Sequence, residues 1–131
     1  MNAHKVAGEI TFPEGLPGFE SSRSFVLIVS PELGPFTMVQ GIGPDAPAFL
    51  SIDPRRVTPG YDVSLDPRDL ARLGAAPGQP LAWLALVSIS PDGTPTVNLR
   101  APLVINPATM RGLQLCRDDV PYPVDHPLKA A

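Results

Sequence analysis

Proline occurs 18 times and glycine 11 times among these 131 residues, roughly twice their usual combined share of about 12%. Proline removes a backbone donor and breaks helix interiors, so a chain interrupted this often cannot build long helices. Short strands joined by many turns remain. Hydrophobic residues nevertheless make up 44% and charged residues 18%, a globular balance and not the apolar-poor composition of disorder. The length suits one domain, and about two-thirds of the extended chain's surface would be buried on folding.

Turn signals divide the apolar residues into short runs, the spacing of a sandwich or barrel. Residues 9–12 form a brief strand ending at Pro13, and a loop with Leu16 and Phe19 follows. Residues 24–30 are a near-continuous apolar strand closed by Pro31, and residues 36–40 return as the second arm of a hairpin. Residues 48–52 make a strand stopped by Asp53-Pro54, because the residue before proline leaves helical space and proline cannot donate to a ladder. Residues 61–65 alternate, with Tyr61, Val63 and Leu65 on one face, which predicts another strand.

One short helix opens at Asp66-Pro67, with Asp66 as cap and Asp69 in the first turn, and ends near Leu73 before Gly74. Leu70 and Leu73 share a face, expected to cover the open end of a barrel. Residues 81–90 are the longest strand, with Trp83 in the core, and Pro91-Asp92-Gly93 turns it into residues 96–99. Residues 103–106 and 113–116 complete the set, which makes Cys116 a small core residue. A polar, Pro-rich tail follows Asp118. The pattern predicts an all-β fold, a small antiparallel β-barrel-like single domain with one short helix, its core over about residues 6–123 and its termini flexible.

The net charge is −3, from 10 basic and 13 acidic residues, and nucleic-acid binding needs a clustered basic face. The tightest basic pair, Arg55-Arg56, reads as a solvated turn. An oligonucleotide-binding barrel also needs aromatics interleaved with basic residues, whereas most aromatics here fall on core positions. The longest apolar run, residues 81–87, is too short to span a bilayer, and no basic amphipathic helix is present to lie on one. Residues 1–12 lack the apolar run of a signal peptide, and the single cysteine cannot form an internal disulfide, so a cytoplasmic location is expected.

Catalytic chemistry finds no support. The only histidines, His4 and His126, lie in terminal segments, away from any nucleophile pattern. With Cys116 they lack metal-ligand spacing. Asp118-Asp119 reads as a solvated turn, and Gly41-Ile42-Gly43 lacks the third glycine and following helix of a phosphate loop. Neither an enzyme nor a cofactor is expected. Asn98 and Asn106 bracket a bend stiffened by Pro102, where side-chain amides can satisfy loose backbone groups.

These residues stand in a recognisable order. Phe12-Pro13-Glu14-Gly15-Leu16-Pro17-Gly18-Phe19-Glu20 is followed by Pro35-Phe36 with Gln40, by Ala48-Phe49-Leu50 running into Asp53-Pro54, and by Tyr61. The block Thr96-Val97-Asn98-Leu99-Arg100-Ala101-Pro102-Leu103-Val104-Ile105-Asn106 comes next, then Gly112, Gln114, Tyr122 and His126-Pro127-Leu128. Over almost its whole length the chain resembles the FliW family of flagellar assembly factors. The Gly- and Pro-rich loop 74–80 and Gly41-Ile42 depart from that family's pattern. The resemblance implies two protein partners, flagellin and the RNA-binding translational regulator CsrA, bound in mutually exclusive equilibria that relieve repression of flagellin translation. It implies no enzyme, cofactor, direct nucleic acid or membrane partner, and a monomer when alone. Leu16, Phe19 and Phe36, the apolar residues least easily placed in a core, become the candidate flagellin contact, the alternative being that they plug the barrel end. The acidic rim Asp62, Asp66 and Asp69 becomes the candidate CsrA contact, since acid favours a basic partner. Gly15, Gly18, Asp53, Pro54, Asn98, Leu99, Pro102, Asn106 and Tyr122 are expected to hold the scaffold.

Overall fold

The computed structural model describes residues 5–128; His4 and the outermost residues of both termini, expected to be flexible, lie outside the described residues. Within the described residues nine strands form one sheet: β1 (Lys5–Thr11), β2 (Ser24–Val29), β3 (Phe36–Gly41), β4 (Ala48–Ile52), β5 (Ala82–Ile89), β6 (Pro95–Val97), β7 (Leu103–Asn106), β8 (Arg111–Gln114) and β9 (His126–Pro127). Neighbours run in the order β4-β3-β2-β1-β8-β7-β5-β6-β9, and a further β4–β5 pairing turns the sheet back on itself. Seven strands thereby close a barrel, and β6 and β9 extend from β5 as a flap. All pairings are antiparallel except β1–β8, where a single parallel bridge joins Thr11 to Arg111. The expected β2–β3 and β5–β6 hairpins are both present.

Alternation along the strands sorts the apolar residues into two layers. On β7, Leu103 and Ile105 point into the barrel with Ile10, Phe12, Phe25 and Val39, while Val104 points out. On β5, Leu84 points in, and Trp83 and Ala85 point out. The outer layer is closed by α1 (Pro54–Val57), α2 (Pro67–Leu73), the segment between them and the C-terminal segment, whose Tyr122 and Leu128 pack against it. Trp83 is 3% exposed, as a core residue of the longest strand should be.

Helix α2 forms for the expected reasons. Asp66 Oδ1 accepts the Asp69 N–H at 2.9 Å, Pro67 opens the first turn, and Gly74 closes the end with φ 64°. It does not cover the barrel end, however. The Leu73 carbonyl accepts from Asn106 Nδ2 (2.9 Å) and Thr109 Oγ1 (3.0 Å), which ties α2 to the flank beside β8 and drives Leu73 into the outer layer. Asp53-Pro54 does more than stop β4. Asp53 Oδ1 accepts the Arg55 N–H at 2.9 Å and so caps the single turn α1, with Pro54 buried in its first position.

Two further expectations are corrected. Residues 61–65 are not a strand, and Val63 is exposed. Cys116 is exposed and not a core residue, because β8 ends at Gln114 and the next buried position is taken by Arg117, 6% exposed, in the outer layer. The Pro-rich, polar segment after Asp118, read only by its composition in the sequence, packs onto the sheet: the Leu99 N–H donates to the Pro123 carbonyl (3.0 Å), the Leu128 N–H to that of Pro95 (2.9 Å), and β9 pairs with β6.

Candidate protein-binding surface

Residues 61–66 cross the outer layer without a strand neighbour, so their backbone groups need other partners. Side chains provide them. Arg117 donates from Nη1 to the Asp62 carbonyl at 2.5 Å and from Nη2 to the Ser64 carbonyl at 2.9 Å. Tyr122 Oη accepts the Asp62 N–H at 2.9 Å. The buried guanidinium also lies 5.4 Å from the Tyr61 ring centre and 5.2 Å from that of Trp83, so carbonyl dipoles and aromatic faces offset its desolvation. Tyr122 stacks on Tyr61 at 4.5 Å, and Tyr61 Oη donates to the Leu99 carbonyl at 2.6 Å. Burial pushes the Tyr61 phenol up, against the opposing effect of Arg117, so it remains a neutral donor.

Over this clamp lies a groove of about 260 Å³ lined by Asp62, Ser64, Asp66, Asp69, Cys116 and Asp119 among others. The three acids singled out in the sequence are thus brought together, and Asp119 joins them. Their charges are not equally available. Asp62 accepts from the Ser64 hydroxyl (2.6 Å) and N–H (2.8 Å), which hold its carboxyl below the usual range. Asp66 is occupied as the α2 cap. Asp69 pairs with Arg72 at 2.8 Å, and Arg72 reaches on to Glu14 at 2.6 Å, so the charge of Asp69 is largely offset. On the other side of residues 63–65 is a more open apolar groove of about 480 Å³, lined by Val63, Leu65, Leu70, Leu81 and Trp83 and by the Pro-rich loop. Among the described residues no group of His, Cys, Asp or Glu side chains is arranged to hold a metal ion.

The apolar candidates do not form one surface. Leu16 is 2% exposed and belongs to the barrel interior, whereas Phe36 is half-buried in the outer layer. Phe19 alone is exposed, at 43%, with its ring edge-on to Phe49 at 5.4 Å. The loop that separates them is a tight turn: the Phe19 N–H donates to the Leu16 carbonyl at 2.7 Å across Pro17 and Gly18, and Gly18 takes the φ of 84° that a type II turn demands. At Gly15, φ is 68° and an added Cβ would meet the Glu20 backbone at 2.7 Å.

The two asparagines hold bends. Asn98 Oδ1 accepts from the N–H groups of Arg100 (3.1 Å) and Ala101 (3.0 Å), just before Pro102. Asn106, fully buried, donates to the Leu73 carbonyl and accepts from Gln79 Nε2 (2.7 Å) and the Ala108 N–H (2.9 Å). Arg117 was not singled out by the sequence at all.

Comparison with known proteins agrees with the motif order. The FliW protein family model matches residues 1–128. The flagellar assembly factor FliW of Syntrophotalea carbinolica is 35% identical over 121 residues, 92% of this chain and 86% of that protein. Its counterpart in Thermotoga neapolitana is 33% identical over 118 residues, 88% and 78% of the two chains. A crystal structure of the flagellar assembly factor FliW superposes with a TM-score of 0.82 at 31% identity, covering 94% of this chain and 86% of that one. The barrel, its motif order and these relatives together place the chain in the FliW family of flagellar assembly factors.

Proposed function

We propose that this chain is a non-enzymatic, cytoplasmic regulator of flagellar assembly that acts as a monomer. It binds flagellin and antagonises CsrA, so that export of flagellin frees it to relieve repression of flagellin translation. The observation that carries the CsrA half is the gathering of Asp62, Asp66, Asp69 and Asp119 on one groove, a surface suited to a basic RNA-binding protein. Two mutually exclusive binding equilibria suffice for the switch, with concentrations and affinities setting its position and no bond chemistry required. No helix among the described residues is long and apolar enough to cross a membrane. For flagellin, Phe19 is the exposed member of the apolar candidates. The test is binding of the purified chain to flagellin and to CsrA from the same source, alone and in competition. Charge reversal at Asp62, and to a smaller extent at Asp69, whose charge Arg72 already offsets, should slow CsrA association and flatten its salt dependence while leaving flagellin binding largely intact. Equal weakening of both partners, or no effect on either, would rule out separate surfaces.

A further inference from the structure

The outward face of the barrel is covered over only part of its area. Where Phe36 pairs with Ile52 and Ile52 with Ala85, the outer layer packs over the sheet, and Ile52 and Ala85 are 5% and 0% exposed. Two residues along the same strands the cover thins, with only Val87 still packed against the outer layer. There Ile28 pairs with Met38, Met38 with Leu50 and Leu50 with Val87, a straight apolar row across β2–β5 that faces outward because Leu27, Val39 and Leu86 between them face in. Val26 and Ile89 widen the row, and Ile89 is 67% exposed. Val26, Ile28, Met38 and Leu50 belong to neither apolar layer. An antiparallel strand with water on one face alternates in polarity, but β2 reads Phe25-Val26-Leu27-Ile28-Val29, the pattern of a strand covered on both faces. Val26, Ile28, Met38 and Leu50 are half-buried, so the second cover is at most partial.

The rim indicates the chemistry of that cover. Glu9 is in register with Val26, and Asp45 and Asp92 stand in the β3–β4 and β5–β6 loops at the same end; all three are exposed. Arg23, just before β2, is turned to the carbonyls of Pro13 and Glu20. A second copy would set these acids against one another. The row crosses three interstrand gaps, about 14 Å, which two to three turns of α-helix span at about 5.4 Å each. We propose that the outward face of β2–β5, centred on Met38 and Leu50, docks an amphipathic helix of a partner protein whose apolar stripe is flanked by Lys or Arg. This rests on the protein-binding function proposed above and gives it a surface distinct from the acidic groove.

The test uses isotope-labelled full chain titrated with two synthetic Leu-striped helices, one flanked by Lys and one by Glu, with amide shifts mapped on the sequence. The Lys-flanked helix should move amides of residues 26–28, 38–40, 48–50 and 87–89 in a saturable way, and the Glu-flanked helix should bind at least about tenfold more weakly. Met38→Asp should weaken binding by about tenfold or more with a dispersed spectrum retained. Ile89→Asp, at an already exposed position, gives the same readout should Met38→Asp unfold. Absence of shifts, shifts confined to other residues, equal binding of the two helices, undiminished binding by a folded variant, or the same amides moving with protein concentration alone would each overturn the proposal. Failure to bind flagellin and CsrA with helix binding intact would sink those partner assignments and leave this surface standing.

Discussion

Removing the Arg117 side chain isolates what holds residues 61–66 in place. Arg117→Ala deletes two hydrogen bonds from a charged donor, at 2.5 and 2.9 Å, each worth about 1.5–3 kcal/mol. It also deletes contacts with two aromatic faces, worth about 2 kcal/mol when desolvated. These contributions are not additive, and Asp62 and Ser64 are exposed, so water can take over part of what their carbonyls lose. A net loss of about 3–5 kcal/mol follows, set against a total stability of about 5–15 kcal/mol. At this chain length that corresponds to a fall in Tm of about 10–20 °C. Arg117→Lys keeps the charge but loses the planar fork, and should retain about half of the effect. Thermal unfolding gives the magnitude and amide exchange gives the place: residues 62–65 should exchange faster in the variant than the β-strands do. A Tm within about 2 °C of the parent, with exchange unchanged at Ser64, would refute the clamp and require another support for this segment.

Asn106→Ala should cost about 2–4 kcal/mol, because it removes three hydrogen bonds from a fully buried site and leaves the Leu73 carbonyl to Thr109 Oγ1 alone, whereas half-buried Asn98→Ala should cost about 1 kcal/mol; urea midpoints separate the two. Burial alone would push the Asp53 carboxyl up, but hydrogen bonds and charge from Arg55 hold it below its usual value, and the Ser64 hydroxyl and N–H do the same for Asp62. Such a carboxyl releases its proton more readily when folded. Its contribution is therefore present above the ordinary value of 3.8 and lost as pH falls through the depressed folded one, so stability should decline from about pH 4 downward and decline less in Asp62→Asn. Cys116 should react with a thiol reagent in the native protein at the rate of an open thiol; reaction only after denaturation would restore it to the core.

Strand edges were legible where the sequence punctuates them chemically. Pro31 and Gly34-Pro35 mark the β2–β3 hairpin, and Asp66-Pro67 with Gly74 bounds α2 to the residue, since caps and proline act on the backbone locally. Closure was not legible in the same way. The β4–β5 and β1–β8 pairings join strands far apart in sequence, and the second consists of one bridge. The position of α2 was misplaced for a related reason. Its apolar face says that it covers something, but the choice between barrel end and flank is made by Asn106 and Thr109 gripping the Leu73 carbonyl across more than thirty residues.

The acidic groove shows a sharper limit. Period-two alternation over residues 61–65 is the correct signature of a strand, yet it records only which residues could face one way, not what accepts or donates to the backbone. Here a guanidinium and a phenol take the place of the missing strand, and the alternation fails at Val63, which has no layer to enter. Composition cannot separate an arginine of this kind from a solvated one, and Arg117 follows a cysteine in what reads as the end of a strand. The signal that could have found it is a mismatch: Tyr61, Trp83 and Tyr122 are three aromatics with polar handles, too many to bury against aliphatic neighbours without a donor or a cation among them. A buried cation held by carbonyls fixes those carbonyls in turn, and that is what keeps Asp62 and Asp66 turned to one groove with no ladder beneath them.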